Sequence, residues 1–509
     1  MGSPMHDQPP LLEMRGITKR FGSVTANDGI DLTLSAGEIV GLLGENGAGK
    51  TTLMNILFGA YDADEGTIRI DGRPAVVRSS ADALALGVGM VHQHYHLVPS
   101  HSVLENLMVG QSGGRWRRKR KKILDRMDEI KGRYGLHLDP FALAGDLTVG
   151  QQQRLEIIKA LVRGARILIL DEPTAALTPQ EARGLFGALR SMADNGMGVI
   201  FISHKLHEVR TITTRVVILR QGRVAAAVDN DAHTSKRQLA ELMCGRTVSP
   251  PEKRPVARGP VVLELDGIST NGGSRMGLKG IRLKVHAGEI VGVAGVSGNG
   301  QRELADILAG VLTPAAGRVK IDGTPVNPLS PQNVQRLGIG RIPEDRMGTG
   351  LITTLPLSAN IVLPRIRERR FSRFGFLKPG AIRRFARNRI HQFGIKAARS
   401  GIRAGTLSGG NLQKALLARE LAWNPRVLLA AQPTRGLDVS AAGFVHGQFL
   451  QLRLKGSGVL VISEDLDELF LLCDRIAVMF EGRIMEVIPI EAASVERVGL
   501  LMAGVREAA

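Results

Sequence analysis

The sequence predicts an α/β chain of two tandem domains with the same fold, each built on a mostly parallel core sheet. Three repeated phrases carry this. GEIVGLLGENGAGK over Gly37–Lys50 returns as GEIVGVAGVSGNGQ over Gly288–Gln301. LTVGQQQRLEIIKAL (Leu147–Leu161) returns as LSGGNLQKALLAREL (Leu407–Leu421). ILILDEPTAALT (Ile167–Thr178) returns as VLLAAQPTRGLD (Val427–Asp438). The order is the same in both halves, and 509 residues give each half enough chain for its own core.

In each half a short apolar run leads into a glycine loop, and a helical pattern follows. That is the strand–loop–helix of a P-loop fold. A second apolar run, Ile167–Leu170, ends in Asp171 and Glu172, and a third, Gly198–Ile202, ends in Ser203 and His204. Charged groups at the ends of buried strands place a site at the carboxyl edge of the sheet. The polar residues 1–10 read as a flexible tail and carry no secretory signal. Domain 1 is expected over 11–245 and domain 2 over 261–505. Between them, residues 246–260 hold four prolines among mixed charges, the mark of a short extended linker.

Composition narrows the classes. No run approaches the ~18 apolar residues of a membrane-spanning helix. Two cysteines, Cys244 and Cys473, are too few for a metal cluster or a disulfide framework and read as small buried residues. A net charge of +19 favours an anionic partner, whether nucleic acid, phospholipid headgroups or nucleotide.

The chemistry sits in the first half. GENGAGKT, Gly44–Thr51, matches the phosphate-cradling pattern GxxxxGK[ST]. Its backbone N–H groups (Gly44, Glu45, Asn46, Gly47, Ala48, Gly49), with Thr52 at the helix start, surround phosphate oxygens. Lys50 reaches the β- and γ-phosphates, Thr51 offers a hydroxyl to Mg²⁺, and Asp171 holds the same ion. Glu172 is placed to activate water as general base. His204 can hydrogen-bond the γ-phosphate or the water, and Gln93 can touch Mg²⁺ or water. The second half loses this set. Gln301 and Arg302 replace lysine and hydroxyl, Ala431 and Gln432 replace the carboxylate pair, and Glu344 and Glu464 stand at the Gln93 and His204 positions. One half is expected to hydrolyse nucleotide and the other only to bind it weakly, Arg302 still being able to meet a phosphate.

These residues, in this order, resemble the ATP-binding cassette ATPases. The set comprises Phe21, GENGAGKT, Gln93, LTVGQ, ILILDE, His204 and the signature LSGGN at Leu407–Asn411. The resemblance spans nearly the whole chain. It implies an antiparallel β subdomain and a helical subdomain in each half, with two cassettes packed head to tail. Phe21 matches the aromatic that stacks on adenine, with Gly272 at the equivalent place in domain 2. Ser408, Gly409, Gly410, Asn411 and the D-loop residue Asp438 would complete the site of the first half. The opposite site would receive LTVGQ, where Val149 replaces a glycine and Thr178 replaces the D-loop aspartate. ATP and Mg²⁺ are the implied cofactors.

GNGQREL, PEDR (Pro343–Arg346), LSGGNLQK and AAQPTRGLD look like the fused ATPases of bacterial simple-sugar and nucleoside importers. The lost carboxylates of AAQPTRGLD look more like the nucleoside branch. Ribose, galactose or xylose is the alternative cargo. The family implies two integral-membrane permease subunits, an extracytoplasmic binding protein, and a peripheral position on the cytoplasmic face of the bacterial inner membrane, with no nucleic acid. Two basic stretches, Arg115–Lys122 and Arg365–Arg389, suit anionic headgroups or acidic permease loops, or are solvated helix faces. A ribosome-associated twin-cassette ATPase and a non-catalytic scaffold are the rival readings. The first is opposed by the short proline-rich linker, the second by the intact set from Lys50 to His204.

Overall fold

A computed structural model describes residues 9–92, 95–110, 116–174, 177–203, 205–247, 251–271, 276–397 and 399–505, with Trp116 and Arg117 as backbone alone. The chain divides into two compact units, Met1–Ser249 and Pro250–Ala509.

In the first unit a six-stranded sheet runs, in spatial order, Arg223–Asp229, Arg215–Arg220, Ile39–Gly44, Gly198–Ile202, Ile167–Asp171 and Val88–Val91. Only the outermost pair, Arg223–Asp229 with Arg215–Arg220, is antiparallel. The central strands are uniformly apolar because helices and the second sheet cover their faces, and Ile39–Gly44 is buried at every position. A second, antiparallel sheet orders Val24–Leu34, Leu12–Phe21, Glu65–Ile70 and Arg73–Ala75. The core joins the two sheets through Leu12, Met14, Ile30, Leu42, Leu53 and Ile169, all fully buried. Helices Val103–Met108, Trp116–Tyr134 and Val149–Val162 pack together as the helical part.

The second unit repeats the plan. Its six-stranded sheet orders Ile339–Ile342, Val427–Ala431, Gly458–Ser463, Ile290–Ala294, Arg475–Phe480 and Arg483–Pro489, again antiparallel only at the last pair. An antiparallel sheet of Ile281–His286, Val261–Ser269, Ala316–Ile321 and Thr324–Pro325 accompanies it. The α/β class, the parallel cores and both subdomain types are thus as the sequence predicts.

Part of the proline-rich segment belongs structurally to the second unit. Lys253 donates to the Cys473 carbonyl at 2.6 Å and pairs with Asp474 at 3.1 Å, while Arg453 donates to the Arg254 carbonyl at 2.6 Å. Cys473 is buried, as expected, but Cys244 is only half-buried, because it ends a surface helix at Gly245. Among the described residues no helix is long and apolar enough to cross a membrane.

Candidate active site

The glycine loop is positioned by the end of strand Ile39–Gly44 and the start of helix Lys50–Leu57. Gly49, the residue before that helix, is left-handed (φ 101°), and a Cβ there would meet the Ala26 carbonyl at 2.4 Å. No other residue fits. Gly300 repeats the conformation at φ 103° in the second unit. Asn46, Gly47 and Thr51 are exposed at the loop surface, with Thr52 half-buried behind them. Lys50 donates from Nζ to the carbonyls of Gly44 (2.6 Å) and Glu45 (3.1 Å), which lays its ammonium across the loop.

Asp171 ends its strand beside this ammonium. Burial pushes its carboxyl up to about 6, the charge of Glu172 adds to the rise, and Lys50 opposes it. Glu172 follows in a left-handed conformation (φ 49°), its amide donating to the Ile202 carbonyl at 2.9 Å. That conformation is costly for a side chain with a Cβ. The set fits a polyphosphate with a small hard cation. An open loop carries an ammonium, an exposed hydroxyl stands at a helix start, and Asp171, whose charge is disfavoured by burial, has a second carboxylate next to it.

The second unit keeps the backbone and changes the chemistry. Gln301 is buried and donates from Nε2 to the Val296 carbonyl at 2.9 Å, the equivalent of the Glu45 carbonyl that Lys50 meets. Gln432 keeps the left-handed turn (φ 47°) and donates from its amide to Ile462 at 2.7 Å. Its side-chain oxygen accepts from the Glu464 amide at 3.3 Å. Arg302 is exposed, as a phosphate contact requires. Glu344 is ion-paired with Arg435, and the Arg346 guanidinium donates to the Arg435 carbonyl. The carboxylate pair is thereby replaced by the neutral Ala431 and Gln432, and the carboxylate at the Gln93 position is engaged by Arg435.

The two signature helices differ at their N-termini. In LTVGQ, Thr148 accepts from the Gln151 amide at 3.3 Å and Gln151 accepts from the Thr148 amide at 2.9 Å, a closed capping box. In LSGGN, Ser408 caps no amide of helix Gly409–Glu420, and its Oγ accepts from Asn411 Nδ2 at 2.9 Å. Ser408 and Gly409 are exposed and Gly410 and Asn411 half-buried, so this helix end suits an anion. Asp438 caps helix Val439–Leu454, accepting from the Ala441 amide at 2.7 Å, as Thr178 caps its counterpart.

Phe21 ends strand Leu12–Phe21 with 44% of its surface exposed. It meets Tyr61 edge to face at 5.3 Å, with Lys19 Nζ at 5.6 Å from its ring centroid. Gln93 and His204, and Gly272 opposite Phe21, lie outside the described residues.

Sequence reasoning missed Tyr61 and two glutamates. Glu208 is 2% exposed and accepts from Thr174 Oγ1 (2.5 Å) and Ser203 Oγ (3.0 Å). It therefore ties the segment after Glu172 to the segment before His204. Glu468 does the same for Thr434 (2.8 Å) and Ser463 (2.6 Å), and His446 joins it at 3.0 Å. The signal was present: a glutamate follows the strand-ending serine by five residues in both halves.

A family model described as ABC transporter matches residues 27–175 and 278–435, covering the glycine loop of each unit and the strands Ile167–Asp171 and Val427–Ala431. The chain belongs to the ABC transporter family. It binds and hydrolyses ATP. Over 502 residues, 97% of this chain and 98% of the relative, it is 42% identical to the nucleoside import ATP-binding protein NupA of Lactococcus lactis subsp. cremoris (strain MG1363). It is also 42% identical, over 97% of this chain and 98% of the relative, to the ribose import ATP-binding protein RbsA 1 of Rubrobacter xylanophilus (strain DSM 9941 / JCM 11954 / NBRC 16129 / PRD-1). The solved structure titled RNase-L Inhibitor matches with a TM-score of 0.62, covering 96% of this chain and 93% of that one. At 18% identity that likeness speaks to the fold alone.

Proposed function

We propose that this chain is the ATP-hydrolysing subunit of a bacterial importer, with one working catalytic site, and that its cargo is a nucleoside or a simple sugar. The observation that carries the single-site reading is the pair of equivalent left-handed positions. Glu172 follows Asp171 in one unit, and Gln432 follows Ala431 in the other. The backbone is kept where the charge is lost.

In this reading the amides of Gly44–Thr51 and the Lys50 ammonium hold and orient the β- and γ-phosphates. Thr51 and Asp171, with Gln93, hold Mg²⁺. When bound, that ion neutralises charge on the β- and γ-phosphate oxygens. Glu172 takes the proton from the attacking water, and His204 orients the terminal phosphate or that water. Phe21 stacks on the adenine. Ser408, Gly409, Gly410 and Asn411 supply an uncapped helix end to the phosphates, with Asp438 beside them. This last contribution rests on the resemblance and on the contrast between the open LSGGN end and the closed LTVGQ end.

The partners in this reading are two integral-membrane permeases on the cytoplasmic face of the inner membrane, and through them an extracytoplasmic binding protein. The basic stretches lie towards anionic lipid. Nucleoside cargo is favoured over ribose only by resemblance, the lost carboxylates of AAQPTRGLD looking more like the nucleoside branch. Relatives named for both cargoes are equally similar, at 42% identity. The likenesses to solved structures with ribosome in their titles, at 18–19% identity, carry the fold alone and do not favour a ribosome-associated role.

Uptake of labelled nucleosides and labelled ribose by cells with and without the gene tests this, with Glu172→Gln as control. Loss of nucleoside uptake alone supports the favoured cargo, and loss of ribose uptake alone reverses it. Unchanged uptake of both, with other sugars also unaffected, overturns the importer reading.

A further inference from the structure

The second unit carries a short hairpin remote in sequence from every residue given a nucleotide role. Strands Ser372–Arg373 and Phe376–Leu377 pair antiparallel, Ser372 opposite Leu377 and Arg373 opposite Phe376. The connecting turn is Phe374–Gly375, both residues with positive φ, 50° and 83°. Asn, Asp or Gly suits the first position of such a turn, whereas a bulky aromatic is strained there. Phe374 nevertheless leaves 86% of its surface exposed, and Phe376 leaves 80%. The Arg373 guanidinium lies 5.2 Å from the Phe374 ring centroid, but that contact leaves the ring exposed, so the strain at Phe374 and the exposure of both rings are not repaid by burial within the chain.

The foot of the hairpin is rigid by contrast. Phe371 is buried and meets Phe385 edge to face at 5.2 Å, and Phe385 stacks on Trp423 at 5.3 Å. The Arg370 guanidinium lies 4.5–5.0 Å from all three ring centroids. The Lys378 amide donates to the Phe371 carbonyl at 2.7 Å and closes the base.

The surroundings are strongly cationic. Residues 365–389 hold ten Arg or Lys and one carboxylate, Glu368. That carboxylate is already engaged by Arg365 and Arg370. Arg373 at the hairpin and Arg383, Arg384 and Arg387 on helix Pro379–Gln392 are all exposed.

We propose that this hairpin is an interfacial anchor. Phe374 and Phe376 enter the headgroup region of an anionic bilayer, and the surrounding arginines contact lipid phosphates. The proposal rests on the membrane-side position given above and adds the element that makes the contact. Phenylalanine beside Lys and Arg buries its apolar ring at the headgroup–acyl boundary, and basic residues near an anionic surface strengthen binding in a salt-dependent way. A two-residue turn presents a convex tip, which enters a deformable interface and offers no groove to a protein segment.

The test is co-sedimentation of the full chain with vesicles of phosphatidylcholine, with and without phosphatidylglycerol. The chain is expected to bind only the phosphatidylglycerol vesicles, and less at high salt. The double variant Phe374→Ser and Phe376→Ser should bind about tenfold more weakly, with ATPase activity in solution unchanged. Phe374→Trp should show emission shifted to the blue, relative to the parent chain, on anionic vesicles alone. Absence of binding, equal binding by the double variant, or an unshifted tryptophan overturns the anchor. If those results came with impaired uptake by the double variant, an acidic permease surface would be the partner instead. Vesicle binding through the hairpin without any transport would leave the anchor standing and sink the importer reading.

Discussion

Replacing Asp171 by asparagine should stabilise the nucleotide-free first unit while abolishing its chemistry. The carboxyl is raised from 3.8 to about 6, first by burial and then by Glu172. A shift of that size corresponds to about 3 kcal/mol, each pKa unit being ~1.36 kcal/mol. Because the native carboxyl titrates higher than the unfolded one, the folded state holds an extra proton between the two values. Stability is therefore greatest below pH ~4 and falls as pH rises to about 6, after which the full cost of the buried charge is present. Asparagine removes that charge at almost the same volume. In EDTA and without nucleotide at neutral pH, amides of strand Ile167–Asp171 should exchange about 100-fold more slowly in Asp171→Asn. The gain should shrink as pH is lowered towards 4, after correction for intrinsic exchange rates. Mg²⁺-dependent hydrolysis should be lost throughout. Equal exchange rates at neutral pH would refute the claim that burying the Asp171 charge costs stability.

Four further outcomes follow from the geometry. Glu172→Gln should eliminate measurable ATP turnover, and Gln432→Glu should create none, because Ala431, Gln301 and Arg302 remain; a phosphate-release assay reads both. Tyr61→Ala should weaken ATP binding about 3–10-fold by releasing the edge-to-face support of Phe21, given ~0.5–1.5 kcal/mol for such a pair, and titration with a fluorescent ATP analogue measures it. Glu208→Gln should lower kcat about tenfold with ATP KM nearly unchanged, since the bonds to Thr174 and Ser203 hold positions and touch no nucleotide. Equal loss in KM would assign Glu208 to binding instead.

The parts that the sequence determined are those whose chemistry needs fixed residue types at fixed spacing. GENGAGKT can be read because only glycine tolerates the backbone at Gly49 and only an ammonium and a hydroxyl complete the cradle. The repeat then made the damage in the second half legible position by position. Burial was equally legible in strands such as Ile39–Gly44, whose apolar run has no exposed face. Tertiary structure decided what depends on residues far apart in the chain. It brought Tyr61 against Phe21 and closed Glu208 onto Thr174 and Ser203. It showed that Thr148 caps its own helix while Ser408 leaves its helix end open, although both signatures carry a hydroxyl at that place. It also separated the phenylalanines of one basic segment. Phe371 and Phe385 pack against Trp423, and Phe374 and Phe376 face solvent. Composition could not make that division, because burial is a property of the neighbours that folding supplies and not of the side chain itself.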